Sequence, residues 1–372
     1  MNLRHFRYNF QKIYDKRKVF KINYSYFPYR KIKKSISYDK NAEFIYISTG
    51  MLNITKLDYY YNNKDMNTLK LNHIHLSMAF DYKYIELSLI SIASILNTSN
   101  PETFIHFHIL GLNFTFEDMK KIIQWNKNVD FVFYNAKQAE YDFGKKGQKE
   151  WRGIGNYAKI LSPQIINNTN KVLNLDSGDI IAQKDISEIF YYDIGDNYFG
   201  WILEDVAGNY ERKYDFFFSN NFYPNAGVIL INIELFRKDN LYKKAFFLSL
   251  SYKKLGCPFQ DILLSISIYK FQYMPLKYNC KLYFENDKQK KNNYKNKLIK
   301  DWIKNQRFSP YKYTLKEILE AALEPIINHF YFRKIQNGIG CNILTFQWIN
   351  YSKLSGFYKS IKQKYPMPFK CE

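Results

Sequence analysis

Long apolar runs are missing from this chain. No window approaches the roughly 20 consecutive apolar residues that a bilayer-spanning helix requires, so a membrane-spanning protein is not expected. The stretch Met1 to Phe20 has no apolar core of the kind a secretory signal carries. It interleaves Arg4, Arg7, Lys12, Lys16, Arg17 and Lys18 with aromatic residues. Regularly spaced cysteines are also missing. Cys257, Cys280, Cys341 and Cys371 include no Cys-x-x-Cys pair, which argues against a zinc cluster or a disulfide framework and favours a reducing compartment. These absences together predict a cytoplasmic chain. Acidic residues are scarce: 34 Asp and Glu face 55 Lys and Arg, leaving a formal charge of +21. A surface that positive favours anionic partners, among them nucleotide diphosphates, acidic membrane surfaces, anionic glycolipids and nucleic acid. A codon bias toward Lys, Asn, Ile, Tyr and Phe would produce the same composition, so charge alone selects none of them. The chain has no ribonucleoprotein motif, Gly-x-x-Gly clamp or zinc knuckle, which leaves nucleic acid the weakest of these partners. It also has no internal repeat.

What is present suffices for a large core. The chain has 372 residues, 46% hydrophobic and 19% aromatic, enough for one or two domains and incompatible with general disorder. Residues 1–71 stand apart: they are rich in Lys, Arg, Tyr and Asn, with a basic run at Arg30 to Lys34 and one candidate strand at Glu43 to Ile47. From His73 onward strands and helices alternate. Strands are predicted at His73 to Phe80, Phe104 to Leu110, Val129 to Tyr134 and Lys171 to Leu175. Helices are predicted at Tyr84 to Leu96, Thr115 to Asn126 and Tyr157 to Ile166. In the first helix Leu87, Ile90, Ser91, Ser94 and Ile95 share one face. Thr115 is a fair N-cap for the second, with Asp118 at the third helical position. A charged, Gly-bearing segment at Asn135 to Gly155 reads as a candidate lid. Further on come a strand at Gly227 to Asn232, a helix at Phe259 to Ile268 and a Lys/Asn-rich surface connection at Asn286 to Gln306. The alternation predicts an α/β fold with a mostly parallel, Rossmann-like sheet and helices on both faces. Such sheets bind ligands beyond the carboxyl ends of their strands, where Asp81 and Asp176 both fall.

The run ending in Leu175-Asp176-Ser177-Gly178-Asp179 is the most informative. Carboxylate oxygens are hard ligands suited to Mg²⁺ or Mn²⁺, and a divalent ion can bridge nucleotide phosphates. The same four residues also make a good turn, because Gly accepts positive φ and Asp caps its own backbone. Two carboxylates at i and i+2 share a strand face. Here they stand at i and i+3, so Gly178 must form a turn or bulge to bring Asp179 back.

Several anchors follow one another in order: His75-Leu76-Ser77-Met78-Ala79-Phe80-Asp81 with Tyr84, Tyr157-Ala158-Lys159-Ile160, Val172 to Asp179, Asn225-Ala226-Gly227-Val228, Gln260-Asp261-Ile262-Leu263, Tyr278-Asn279 and His329-Phe330. The ordered set resembles glycosyltransferase family 8, retaining transferases of GT-A fold that include lipopolysaccharide galactosyl- and glucosyltransferases and glycogenin. The resemblance covers residues 72–335 and implies a catalytic domain there. Residues 1–71 form an extension, and 336–372 form a basic, aromatic C-terminal segment.

The resemblance implies a UDP-hexose donor and a glycan or lipid-linked saccharide acceptor. Asp81 and Tyr84 match the positions that hold uracil and ribose, although Asp81 also suits a helix N-cap. Asp176, Asp179 and His329 match the Mn²⁺ ligands. Asn225 and Ala226 match the segment facing the donor sugar, where Ala226 and Gly227 are small enough to let backbone approach the ligand. Asp205, with Glu204, matches an acidic position near the transferred sugar. Gln260 and Asp261 match the catalytic helix entry, whose preceding Asp is replaced here by Phe259. That change leaves the sugar open. Gln260, a neutral amide, would act electrostatically in a front-face mechanism. Lys159 stands where many members have Arg. The family's Gly-x-Lys-Pro-Trp element is absent, and Arg333 and Lys334 are near enough to supply phosphate contacts in its place. The C-terminal segment, with Trp348, Lys353, Phe357, Lys359, Lys362 and Lys364, resembles tails that touch an anionic membrane surface, where each basic residue contributes about 1 kcal/mol. The alternatives are a degenerate member that binds UDP-sugar without turnover, and a nucleic-acid binder.

Overall fold

The computed structural model describes residues 42–49, 52–59, 71–125, 128–136, 155–203, 224–251, 258–267, 270–281, 313–330 and 343–371. Eleven named strands lie among them. Nine form one sheet: β1 (Ala42–Thr49), β2 (Leu52–Tyr59), β3 (Asn72–Asp81), β4 (Thr103–Leu112), β5 (Val129–Asn135), β6 (Lys171–Leu175), β8 (Phe199–Leu203), β9 (Pro224–Asn232) and β10 (Phe271–Tyr273). The other two, β7 (Ile180–Ala182) and β11 (Ile327–His329), pair with each other. The sheet order is β1-β2-β5-β4-β3-β6-β9-β8-β10. Its centre, β5-β4-β3-β6, is parallel. β9 runs antiparallel to both β6 and β8. The expected α/β fold with a mostly parallel central sheet is therefore present.

The strands of the parallel centre are buried on both faces. Ile74, Leu76 and Met78 point to one side of β3, and Ser77 and Ala79 to the other. Such strands read as nearly continuous apolar runs, as these do. Helix α1 (Ile85–Thr98) covers one face. Helix α3 (Gly155–Ile165) covers the other, with α5 (Ile233–Lys238), α6 (Leu241–Ser251) and α7 (Pro258–Ser267) beside it. Helix α2 (Phe116–Ile122) starts with a full capping box, Thr115 Oγ1 accepting from the Asp118 N–H while the Asp118 carboxylate accepts from the Thr115 N–H. That matches the cap read from sequence, although the helix ends four residues early. The short α4 (Ser187–Phe190) and α8 (Leu315–Leu323) complete this body.

Helices α9 (Ile343–Leu354) and α10 (Tyr358–Lys364) follow. Trp348, Ile349, Ile361 and Phe369 pack on Leu87 and Ile90 of α1, so the C-terminal segment is built into the fold. Among the described residues no helix is long and apolar enough to cross a membrane. Cys280 is a buried free thiol, whereas Cys371 is in a disulfide. Its partner lies outside the described residues, and the spacing of the cysteines gave no reason to expect the bond. The candidate lid (all but its first two and last residues) and the Lys/Asn-rich connection also lie outside them.

Candidate active site

The site is assembled by the chain's return from β6. After Leu175, Asp176-Ser177-Gly178-Asp179 turns the backbone into β7. Gly178 adopts φ +78°, a conformation that costs a side-chain-bearing residue energy and glycine little. A Cβ there would also meet Leu87 Cβ at 3.0 Å. Two serines from the buried face of α1 hold the turn. The Gly178 N–H donates to Ser91 Oγ (3.1 Å), Ser91 Oγ–H donates to the Ile180 carbonyl (2.8 Å), and the Ala182 N–H donates to Ser94 Oγ (2.9 Å). Those serines stand out in sequence as polar residues within an apolar stripe, a signal that could have marked them as anchors.

Strand β7 then pairs antiparallel with β11, placing His329 opposite Ile180. The Phe330 N–H donates to the Asp179 carbonyl at 2.7 Å. This small sheet brings the distant histidine to the carboxyl rim. His329 Nε2 lies 3.2 Å from Asp176 Oδ2. The other Asp176 oxygen accepts from the Lys159 ammonium, which is almost fully buried. Burial by itself would raise the Asp176 pKa. The neighbouring Lys159 charge overrides it and holds the carboxyl well below the usual carboxylate range.

His329 is fixed from behind. Its Nδ1 donates to Asn279 Oδ1 (2.9 Å), Asn279 Nδ2 donates to Asn225 Oδ1 (2.8 Å), and the Gly227 N–H donates to the same oxygen (2.9 Å). Gly227 was expected to let backbone approach a ligand. What it approaches is the imidazole: a Cβ at 227 would lie 2.2 Å from His329 Cε1. The Ala226 N–H donates to Gln260 Oε1 at 2.7 Å, so the helix entry of α7 is tied to the same loop. Asp261 is buried in the first turn of that helix. Phe259 packs in the core with its ring 5.6 Å from Lys159 Nζ.

Asp81 and Tyr84 stand at the end of β3, the strand adjacent to β6, with Met78 opposite Leu175. Asp81 accepts from the Lys83 N–H (2.8 Å) and caps the 3-10 turn Tyr82–Tyr84, so the capping role foreseen for it is present. Tyr84 is 45% exposed at the rim, available to a flat ligand. Asp176, His329, Asn225, Ala226, Gln260 and Lys159 are thus gathered, with Asp81 and Tyr84 on the same edge. Asp205, Arg333 and Lys334 lie outside the described residues. Asn279 entered the sequence reading only as an anchor, with no role assigned.

A carboxylate oxygen and an imidazole nitrogen aimed at one another fit a divalent cation in donor chemistry. Asp179 shares their strand pair through its backbone. Among the described residues, however, no three His, Cys, Asp or Glu side chains gather around one cation position.

Residues 75–302 match the sequence profile of Glycosyl transferase family 8. No curated protein matches the chain in sequence. Among solved structures, the bifunctional glycosyltransferase WbbM in its apo form superposes with TM-score 0.61 at 15% identity, over 83% of this chain and 54% of WbbM. The chain thus spans about half the length of that protein. The galactosyltransferase LgtC, solved with donor and acceptor sugar analogs, superposes with TM-score 0.58 at 19% identity, over 76% of this chain and 95% of LgtC. At these identities the structural likeness speaks for the fold, the GT-A arrangement.

Proposed function

The chain belongs to glycosyl transferase family 8 and is a glycosyltransferase, and from that premise we propose that it is a retaining hexosyltransferase using a UDP-sugar donor. Its acceptor is a glycan or a lipid-linked saccharide, as in lipopolysaccharide biosynthesis. The observation that carries the reading is the 3.2 Å approach of His329 to Asp176 at the carboxyl rim, beside Asp81 and Tyr84.

In this reading Asp81 and Tyr84 hold uracil and ribose, and the pyrophosphate lies over Asp176 and His329. Asp176 and His329 would hold Mn²⁺ or Mg²⁺, which when bound would neutralise charge developing on the leaving diphosphate, and the Asp179 side chain, which does not gather with them, would have to turn in to complete the set. Lys159 adds a point charge at the same place, and Arg333 and Lys334 are assigned to the phosphates. The sugar reaches Asn225, Ala226, Asp205 and the Gln260-Asp261 entry. The bond from the Ala226 N–H restrains the Gln260 amide, a preorganised dipole that needs no reorientation as charge develops. A neutral amide is a poor nucleophile. The acceptor hydroxyl therefore attacks the anomeric carbon on the face from which UDP departs: the new C–O bond forms as the bond to phosphate breaks, the hydroxyl proton passes to a donor phosphate oxygen, and configuration is retained. The basic, aromatic C-terminal helices would rest on the cytoplasmic face of an anionic membrane.

The test is a panel of UDP-sugars assayed with Mn²⁺ for UDP release, together with UDP protection against thermal unfolding. Metal-dependent protection and release from at least one donor are expected. Absence of both overturns the reading. Burial of Phe259 beside Lys159 favours the degenerate binder as second reading, and protection without release would select it. Affinity for nucleic acid that falls steeply with salt and ignores Mn²⁺ would select the nucleic-acid reading instead.

A further inference from the structure

Asn279 has no part in the chemistry above, yet it is fully buried directly behind the proposed metal-binding imidazole. We propose that Asn279 is a positioning residue that locks His329 as the Nδ1–H tautomer, so that the Nε2 lone pair faces Asp176. The functional purpose rests on the transferase reading. The tautomer itself does not.

The argument starts from a group whose role cannot change. A backbone N–H only donates, so the Asn225 atom 2.9 Å from the Gly227 nitrogen is its carbonyl oxygen. The Asn279 atom 2.8 Å from that oxygen must then be the amide nitrogen. Its carbonyl oxygen therefore faces His329 Nδ1 at 2.9 Å, and that nitrogen must carry the proton. A neutral imidazole has one N–H, so Nε2 presents its lone pair, here 3.2 Å from Asp176 Oδ2. Such outer partners decide which nitrogen of a ligating histidine is available.

The support behind Asn279 is rigid. It ends the 3-10 turn Leu276–Asn279, and that turn is bonded to the strand carrying His329. The Ile326 N–H donates to the Lys277 carbonyl (2.8 Å), the Cys280 N–H to the Ile327 carbonyl (2.8 Å) and the His329 N–H to the Cys280 carbonyl (2.9 Å). Lys277 Nζ bridges Glu188 and Glu320, each at 3.0 Å, and the Tyr278 hydroxyl donates to Glu188 at 2.8 Å. Gly227 closes the other side of the ring, leaving no room for a Cβ.

The test is nitrogen NMR on histidine-labelled full-length protein at about pH 8, above the ordinary imidazole pKa. The His329 signal is assigned by its loss in His329→Gln. A protonated Nδ1 with an unprotonated Nε2 is expected. A proton on Nε2 overturns the proposal without any further variant. Asn279→Leu, which keeps the volume and removes the acceptor, should let the Nε2–H form appear and weaken Mn²⁺ binding, read by electron paramagnetic resonance without donor, about 10- to 100-fold. Asn279→Asp retains an acceptor and should keep the tautomer. An Asn279→Leu protein that folds and keeps the wild-type tautomer also overturns the proposal. If wild type shows the expected tautomer but binds no Mn²⁺, the metal-dependent transferase reading fails while the positioning role stands.

Discussion

Lys159 and Asp176 are each other's charge partners, and their burial differs: the lysine side chain is 2% exposed and the aspartate 25%. Removing the aspartate charge therefore strands an ammonium in the interior, a change that costs about 3 to 5 kcal/mol when a buried pair is broken from one side. Asp176→Asn should lose about 3 kcal/mol in urea unfolding as well as UDP release. Lys159→Met leaves a carboxylate that water can reach, and it should cost less. The opposite order would show that the ion pair does not organise the site. Gly227→Ala probes the same place by volume. Its Cβ would collide with the imidazole, so overpacking of about 1 to 3 kcal/mol and loss of Mn²⁺-dependent UDP protection are expected by thermal shift. Unchanged protection would mean that the ring moves freely. Asp176, His329 and Asn225 were legible because each sits in an ordered motif. The true neighbour of Gly227 was not, since only the folded chain shows that His329 returns to it.

Strands and helices with a strong period were legible in the same way. β3, β4, β5 and α1 fall within a few residues of where apolar periodicity puts them. β7 and β11 have three residues each, too few for a period of two to show. They nonetheless deliver the histidine. The helices α9 and α10 read only as alternating aromatic and basic residues. Four of the chain's six histidines have no role legible in the sequence beyond their places in β3 and β4. His73, His75, His106 and His108 stack across β3 and β4, ring centroids 4.4 to 5.3 Å apart. Two hydrogen-bonded rows run through the stack, Asp130–His106–His73 and Tyr134–His108–His75. Burial, reinforced by His106 and His73, pushes the His75 pKa down to about 3. An unfolded chain binds a proton there near pH 6.5 and the folded chain refuses it until near pH 3. The contribution of this group to stability is therefore complete above about pH 6.5 and is lost as pH falls, at about 1.4 kcal/mol per pH unit. His75→Gln should flatten the fall in unfolding free energy between about pH 6.5 and 4 by about one proton. An unaltered slope would assign the acid sensitivity to other groups.

The two ends of the chain relate differently to the catalytic body, and truncation separates them. At the N-terminal end, β1 and β2 form a hairpin that joins the sheet at one register, Ile54 opposite Tyr134 and Thr55 opposite Phe133. The parallel centre and the rim residues are contributed by strands from β3 onward. Deleting 1–71 bares the edge of β5, which favours association between chains, but it removes none of the groups assigned to the donor. UDP release should remain measurable. Its disappearance from a folded truncated protein would place part of the active site in the extension. At the C-terminal end the packing is of another kind. Ile361 and Phe369 close an apolar cluster over Leu87 and Ile90. The Ser360 hydroxyl donates to Glu86 (2.6 Å), and the Lys364 ammonium donates to the Lys83 carbonyl (3.3 Å). Lys83 and Glu86 flank Tyr84, so α10 braces the edge that the nucleotide base would use. Deleting 358–372 uncovers that cluster, and losing even the Ile361 and Phe369 contacts should cost about 3 kcal/mol or more. Weaker UDP protection is expected beyond the loss of stability, because the turn carrying Tyr84 loses its brace. A shortened protein with wild-type stability and wild-type UDP protection would make α10 a surface tail, free to serve a membrane without any influence on the donor site.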